Sequence, residues 1–129
     1  MHRLCMSDLT REEFGVLVEQ AMASLPEEIL ASLENIAVTV SDWPSRDELQ
    51  RAGVGPGASL FGLYEGIPLT QRGSHYGLVT PDRIILYRGP LVQSCQTPAS
   101  LQKQIARTVV HEIAHHLGIS EARVRELGY

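Results

Sequence analysis

Val109-Val110-His111-Glu112-Ile113-Ala114-His115-His116-Leu117-Gly118-Ile119-Ser120-Glu121 is the stretch from which the rest of the chain can be read. It closes a long helical pattern that begins near Pro98. In that pattern Leu101, Ile105, Val109, Ile113 and Leu117 recur at every fourth position, and Ala106, Val110 and Ala114 widen the stripe. An apolar stripe of this width needs a partner, so this face is expected against a sheet. At ~100° per residue, His111 and His115 project from a different face, about 40° apart around the axis and ~6 Å along it. The helix is thus expected to have an apolar back and two imidazoles facing a cleft.

At that spacing both rings can reach one ion, and Glu112 completes the pattern His-Glu-x-x-His. Its side chain emerges between the two histidines but offset around the helix, within reach of a metal-bound water and badly placed to be a ligand. The residue types match the chemistry of a zinc hydrolase. Two neutral nitrogen donors hold Zn2+, an open position admits a water whose pKa falls towards ~7, and the carboxylate takes its proton. Gly118 stands where a left-handed residue ends a helix, and the turn there can bring the chain back towards the histidines. Glu121 follows three residues later, so the whole reads HExxHxxGxxE. It can supply a third protein ligand. It can equally be the first-turn acid of a short last helix (Glu121 to Leu127) capped by Ser120. Glu126 is the reserve ligand.

His116 points about 100° from His115 and falls one turn beyond Glu112, where it can touch that carboxylate; it is expected to pack or face solvent. His75 and Tyr76, in a Gly-flanked loop, and Tyr64, Tyr87 and Tyr129 are candidates for polarising a substrate carbonyl. Sequence spacing sets none of their distances. Cys5 and Cys95, with no CxxC pair, are read as packing residues without a role.

The 129 residues leave room for one domain with a single core, expected over the whole chain with Met1 to Asp8 as a flexible start. Hydrophobic residues make up 43% and charged residues 20%, an ordinary globular balance. A net charge of -4 argues against a broad nucleic-acid-binding face. No apolar run approaches the roughly 20 residues that span a bilayer, and the first residues carry no signal-peptide core, so a cytoplasmic protein without membrane partners is expected.

Thr10-Arg11-Glu12-Glu13 fits a capping box opening a helix that Pro26 stops, with Phe14, Leu17, Val18, Ala21 and Leu25 at helical spacing. Glu27 to Leu33 suggests a second, short helix, and Ile36 to Val40 a strand. Ser41 to Ser59 is turn-rich, with a brief helical turn around Asp47 to Arg51. Leu60 to Tyr64 and Ile84 to Tyr87 are the next two strands, the latter closed by Gly89-Pro90. Helix, strands and helix within this length predict an α+β layer packing.

At this point the residues resemble a family. HExxHxxGxx-acid near the end of the chain is similar to the small bacterial zincin-like metallopeptidases, or minimal zincins. So are Leu60-Phe61-Gly62-Leu63-Tyr64-Glu65-Gly66-Ile67-Pro68-Leu69-Thr70 and Pro81-Asp82-Arg83-Ile84-Ile85-Leu86-Tyr87-Arg88-Gly89-Pro90-Leu91. The resemblance implies a zincin fold with a small mixed sheet, an active-site helix and an N-terminal helical cover. It implies zinc ligands at His111, His115 and Glu121, with Glu112 catalytic; the acid is Glu here, where Asp is the commoner choice. It names no substrate beyond a peptide or protein. In zincins an extended peptide lies along the edge strand above the active-site helix, and Ile84 to Tyr87 is the candidate strand.

The longer metzincin pattern ends in a third His and needs a downstream Met-turn, and this chain has neither. With only Tyr129 beyond Gly128, a shallow, open site is expected. Two alternatives to a zinc peptidase stand beside it. One is a zinc-binding or peptide-binding module without turnover. The other is a metal-dependent hydrolase of a non-peptide substrate. Small bacterial endoribonucleases use H-x3-H-x5-H, but lack the glutamate that Glu112 provides here.

Overall fold

The computed structural model describes residues 9–54, 60–66 and 82–129. The Met1 to Asp8 start, Cys5, and the loop bearing His75 and Tyr76 lie outside the described residues. Helix α1 (Arg11–Ala23) opens on the expected capping box: the Thr10 hydroxyl accepts from the Glu13 N–H at 3.1 Å and the Glu13 carboxylate accepts from the Thr10 N–H at 3.1 Å. Pro26 then caps α2 (Glu27–Ser32), and β1 (Ile36–Ser41) follows. A second capping box, Ser45 with Glu48, starts α3 (Arg46–Arg51). After β2 (Gly62–Glu65) and β3 (Asp82–Tyr87) come α4 (Arg88–Ser94), α5 (Pro98–Leu117) and α6 (Glu121–Glu126).

The three strands form one mixed sheet in the order β1-β3-β2, β1 parallel and β2 antiparallel to β3. This α+β architecture agrees with the expected zincin-like fold. It overturns one detail. Ile84 to Tyr87 belongs to the central strand, hydrogen-bonded on both sides, so it has no edge to offer an incoming peptide. Residues 84–87 are all buried, Ile84 and Leu86 against α5 and its neighbours, Ile85 and Tyr87 in a small second cluster with Leu63. A strand covered on both faces reads as a continuous apolar run, which is what Ile-Ile-Leu-Tyr is. Among the described residues, β2 is the edge strand next to the long helix.

Helix α4 was not expected from Gly89-Pro90. Proline is compatible with a first helical turn, where the N–H has no intrahelical acceptor to lose. Here Pro90, Leu91 and Val92 are buried. The Gly89 N–H donates to the Asp42 carbonyl at 2.8 Å, and the Trp43 indole lies where a Gly89 side chain would stand.

Helix α5 keeps the expected bounds. Thr97 caps it, with Pro98 at its first turn. Leu101, Ile105, Val109 and Ile113 are fully buried, and each such burial stabilises the fold by roughly 1.5–3 kcal/mol. The stripe ends one residue early, since Leu117 is 48% exposed. The apolar back meets α1, α2 and α4 as well as the sheet. Phe14, Ala21 and Ile29 join the same core. The N-terminal helices therefore buttress the back of α5.

Two carboxylates tie distant segments together. Asp42, at the end of β1, pairs with Arg11 of α1 and with Arg88 Nε of α4 at 3.0 Å. Glu28 of α2 pairs with Arg123 of α6 at 2.8 Å. The hydrogen bond from Arg11, then that from Arg88, holds Asp42 below the ordinary carboxylate range, and the hydrogen bond from Arg123 does the same for Glu28. A carboxylate with a depressed folded-state pKa contributes stability above its unfolded pKa and loses it as pH falls through the folded value. The melting temperature should therefore stay flat from pH 7 to 5 and fall below about pH 4. Thermal melts of Asp42→Asn/Glu28→Gln should fall less steeply over that acid range; a slope identical to wild type would refute the assignment.

Candidate metal centre

His111, Glu112 and His115 lie on the side of α5 away from the core. Both histidines are exposed and Glu112 is half-buried. Beyond them α5 stops at Gly118, whose φ of 76° is the left-handed conformation anticipated there. The Ile119 N–H closes the turn on the Ala114 carbonyl at 3.1 Å. Ser120 then caps α6 by accepting from the Arg123 N–H at 3.1 Å, which places Glu121 at the first position of α6.

The reversal brings these residues to one cleft of about 1070 Å³, whose wall includes His111, Glu112, His115, His116 and Glu121. β2 forms the facing wall through Gly62, Leu63, Tyr64 and Glu65. Glu126 is not part of it; its carboxylate pairs with Arg123 Nη1 at 2.9 Å on the surface, which removes the reserve ligand from the cleft. Among the described residues, no group of three His, Cys, Asp or Glu side chains is arranged to hold a metal ion.

Glu112 is fixed from across the fold. Its Oε1 accepts the Tyr64 backbone N–H at 2.9 Å, a contact 48 residues apart in sequence. The register explains why that N–H is available. The Phe61 carbonyl accepts the Tyr87 N–H at 2.9 Å, so residues 61, 63 and 65 turn their polar groups towards β3. Those of Gly62 and Tyr64 turn outwards, to an edge that no other strand among the described residues covers. One carboxylate oxygen of Glu112 thus extends the edge of the sheet, and Oε2 makes no hydrogen bond among the described residues.

The Tyr64 ring is held as firmly as its backbone. It stacks on His116 with ring centroids 4.5 Å apart and planes 13° from parallel, and its hydroxyl donates to Asp82 Oδ2 at 2.6 Å. His116 also meets the edge of His115 at 4.9 Å. It therefore packs, as expected for a residue turned away from the ligand face, and what it packs on is the residue that anchors Glu112. Gly62 makes this approach close enough: a Cβ there would lie 2.7 Å from Thr108 Cγ2. Thr108 is one helical turn before Glu112, so Gly62–Thr108 and Tyr64–Glu112 are successive contacts between β2 and α5.

The donor chemistry fits a zinc ion. Two imidazoles one turn apart are exposed to the cleft, and neither makes a hydrogen bond among the described residues. Glu121, a carboxylate, shares their wall. Sequence reasoning missed Arg107 and Arg125, which line the cleft together with the candidate Tyr129. For Arg107 the signal existed: it precedes His111 by four residues and so continues the same face of α5. Tyr87, a candidate for the site, is instead fully buried and donates to Glu48 Oε2 at 2.7 Å.

An α+β protein in which a helix bearing HExxH lies beside an edge strand has the layout of a zincin. A family model described as zincin-like metallopeptidase matches residues 33–129, and the chain belongs to that family. Zinc binding and metal-dependent peptide hydrolysis are what this family implies in general. A solved structure, a conserved hypothetical protein from Thermo thermophilus, superposes with a TM-score of 0.54 at 22% sequence identity over 84% of this chain and 94% of that one. That likeness carries the fold. No curated protein matches the sequence. Among the described residues, no helix is long and apolar enough to cross a membrane.

Proposed function

We propose that the chain is a zinc-dependent peptidase in which His111, His115 and Glu121 hold the ion and Glu112 is the general base. The observation that carries this reading is the fixed carboxylate. Glu112 is locked through Oε1 to the Tyr64 N–H while both imidazoles open into the same cleft.

When bound, zinc supplies acidification of a water and polarisation of the substrate carbonyl. The protein's part follows from its own atoms. The outer edge of β2, covered by no other strand among the described residues, offers the Gly62 backbone and the Tyr64 carbonyl to an extended peptide, which aligns the scissile amide over α5. Glu112 Oε2 takes the proton of the attacking water and returns it to the leaving amine. The Tyr64 N–H keeps that carboxylate from swinging away, and the stack on His116 keeps Tyr64 in place.

The metal assignment is tested by zinc analysis of protein purified without chelator. Wild type should carry close to one zinc per chain. His111→Ala should lose most of it, since a two-ligand site binds far more weakly. Equal zinc in both proteins would exclude His111. The peptidase assignment is tested by a diverse peptide library with wild type against Glu112→Gln. Zinc retention without cleavage by either protein would favour a binding module.

A further inference from the structure

We infer that Arg107 reads an acidic side chain of the peptide substrate, at the position lying opposite Gly62. The inference rests on the peptidase reading and adds a substrate class to it.

Five arginines among the described residues are committed to carboxylates: Arg11, Arg51, Arg83, Arg88 and Arg123. Arg107 is not. It is exposed, makes no ion pair or hydrogen bond among the described residues, and stands one turn before His111 on the ligand-bearing face of α5. It borders the main cleft and also an adjoining side pocket of about 220 Å³. The side pocket is walled by Leu60 and Phe61, by Gly62 of β2, and by Gln104, Thr108, His111 and Glu112 of α5. Gln104 is internally engaged, donating to Thr108 Oγ1 at 3.2 Å. The guanidinium is thus the uncommitted cation of that pocket among the described residues.

The sheet register sets which substrate residue would meet it. Tyr64 faces Glu112 and marks the reacting bond; its outward N–H is already taken. Gly62, the next outward position, lies beside Thr108 and the side pocket. A peptide paired with the outer edge of β2, uncovered among the described residues, would place a residue opposite Gly62 about 7 Å from the reacting bond, two positions away. A guanidinium there pairs with a carboxylate through two parallel N–H···O bonds and rejects a like charge.

The test uses a series of otherwise neutral decapeptides in which one Glu or one Gln is moved along the chain. The zinc-loaded wild-type protein should cleave the Glu peptide better than its Gln twin, on the order of tenfold in kcat/KM, with Glu at a single position two residues from the cut. Arg107→Gln should bring that ratio close to one, and Arg107→Glu should shift the preference to Lys. Arg46→Gln removes the same charge away from the cleft and should leave the ratio as in wild type, which separates local recognition from the general field of the protein. Equal cleavage of Glu and Gln peptides at every position would overturn the inference. So would a preference surviving Arg107→Gln, or one abolished equally by Arg46→Gln.

Binding of the same peptides to Glu112→Gln, followed by fluorescence anisotropy, keeps the two readings apart. If wild type cleaves nothing, the peptidase reading fails while the affinities still decide the role of Arg107. A Glu-over-Gln preference lost in Glu112→Gln/Arg107→Gln would sustain it. Equal affinities, or no binding at all, would overturn it.

Discussion

Glu112→Gln should lower peptide hydrolysis by about 10²–10⁴-fold with zinc content unchanged. The amide is the right size to keep the accepting oxygen at the Tyr64 N–H, where Glu112 Oε1 now sits at 2.9 Å. What it removes is the proton acceptor at the second oxygen. Loss of rate with the architecture preserved is the signature of a base, and a Gln variant with wild-type kcat would remove Glu112 from that role. Glu112→Ala answers a different question. It also leaves the half-buried Tyr64 N–H without its partner, which costs about 1–3 kcal/mol. Its melting temperature should therefore fall below that of the Gln variant. Comparing the two separates the chemistry of the carboxylate from its service as an extension of the sheet.

How much of this was legible beforehand depends on the distance over which each feature is specified. Helix α5 and its caps are local: a four-residue apolar repeat, a proline at the start and Gly118 at the end set its bounds. The helical face shared by His111 and His115 is local too, and Arg107 lies on its continuation. The role of Tyr64 is not. Whether its N–H points to β3 or to solvent depends on a register that Tyr87 and Phe61 set, and on Glu112, 48 residues away. No periodicity within Leu60 to Tyr64 encodes that. The misplaced edge strand is a different kind of error. Ile84-Ile85-Leu86-Tyr87 lacks the alternation that a one-sided edge strand shows, so its own pattern marked it as central. Gly89-Pro90 misled because the same two residues stop a strand and open a helix. Glu121 illustrates a tie: its place at the start of α6 serves the dipole, and the same geometry sets it on the cleft wall, where the proposed ligand role would need it.

Gly62→Ala should destabilise the fold by about 1–3 kcal/mol and cost activity beyond that loss. The sign is not the usual one. Gly62 is not among the glycines with positive φ, so its backbone suits any residue and replacement by Ala would ordinarily stabilise through the unfolded chain by about 0.4–1 kcal/mol. The contact reverses the sign, because the new methyl would stand 2.7 Å from Thr108 Cγ2 and 3.3 Å from the Ile85 carbonyl. The carbonyl belongs to the central strand and cannot yield, so relief must come from β2 moving away from α5. That movement carries Tyr64 with it, two residues on, and lengthens its hydrogen bond to Glu112. A shift of ~1 Å at a catalytic group can cost 10²-fold in rate. Thr108→Ser provides the matching rescue: it removes Cγ2 and keeps the hydroxyl that donates to the Gln104 carbonyl at 2.8 Å. In a double-mutant cycle the pair should recover about 0.5–1.5 kcal/mol relative to the sum of the singles, together with most of the lost kcat. If Gly62→Ala melts at or above the wild-type temperature, or if the two effects simply add, then the close approach of β2 to α5 does not hold the general base. Glu112 would in that case owe its position to α5 alone.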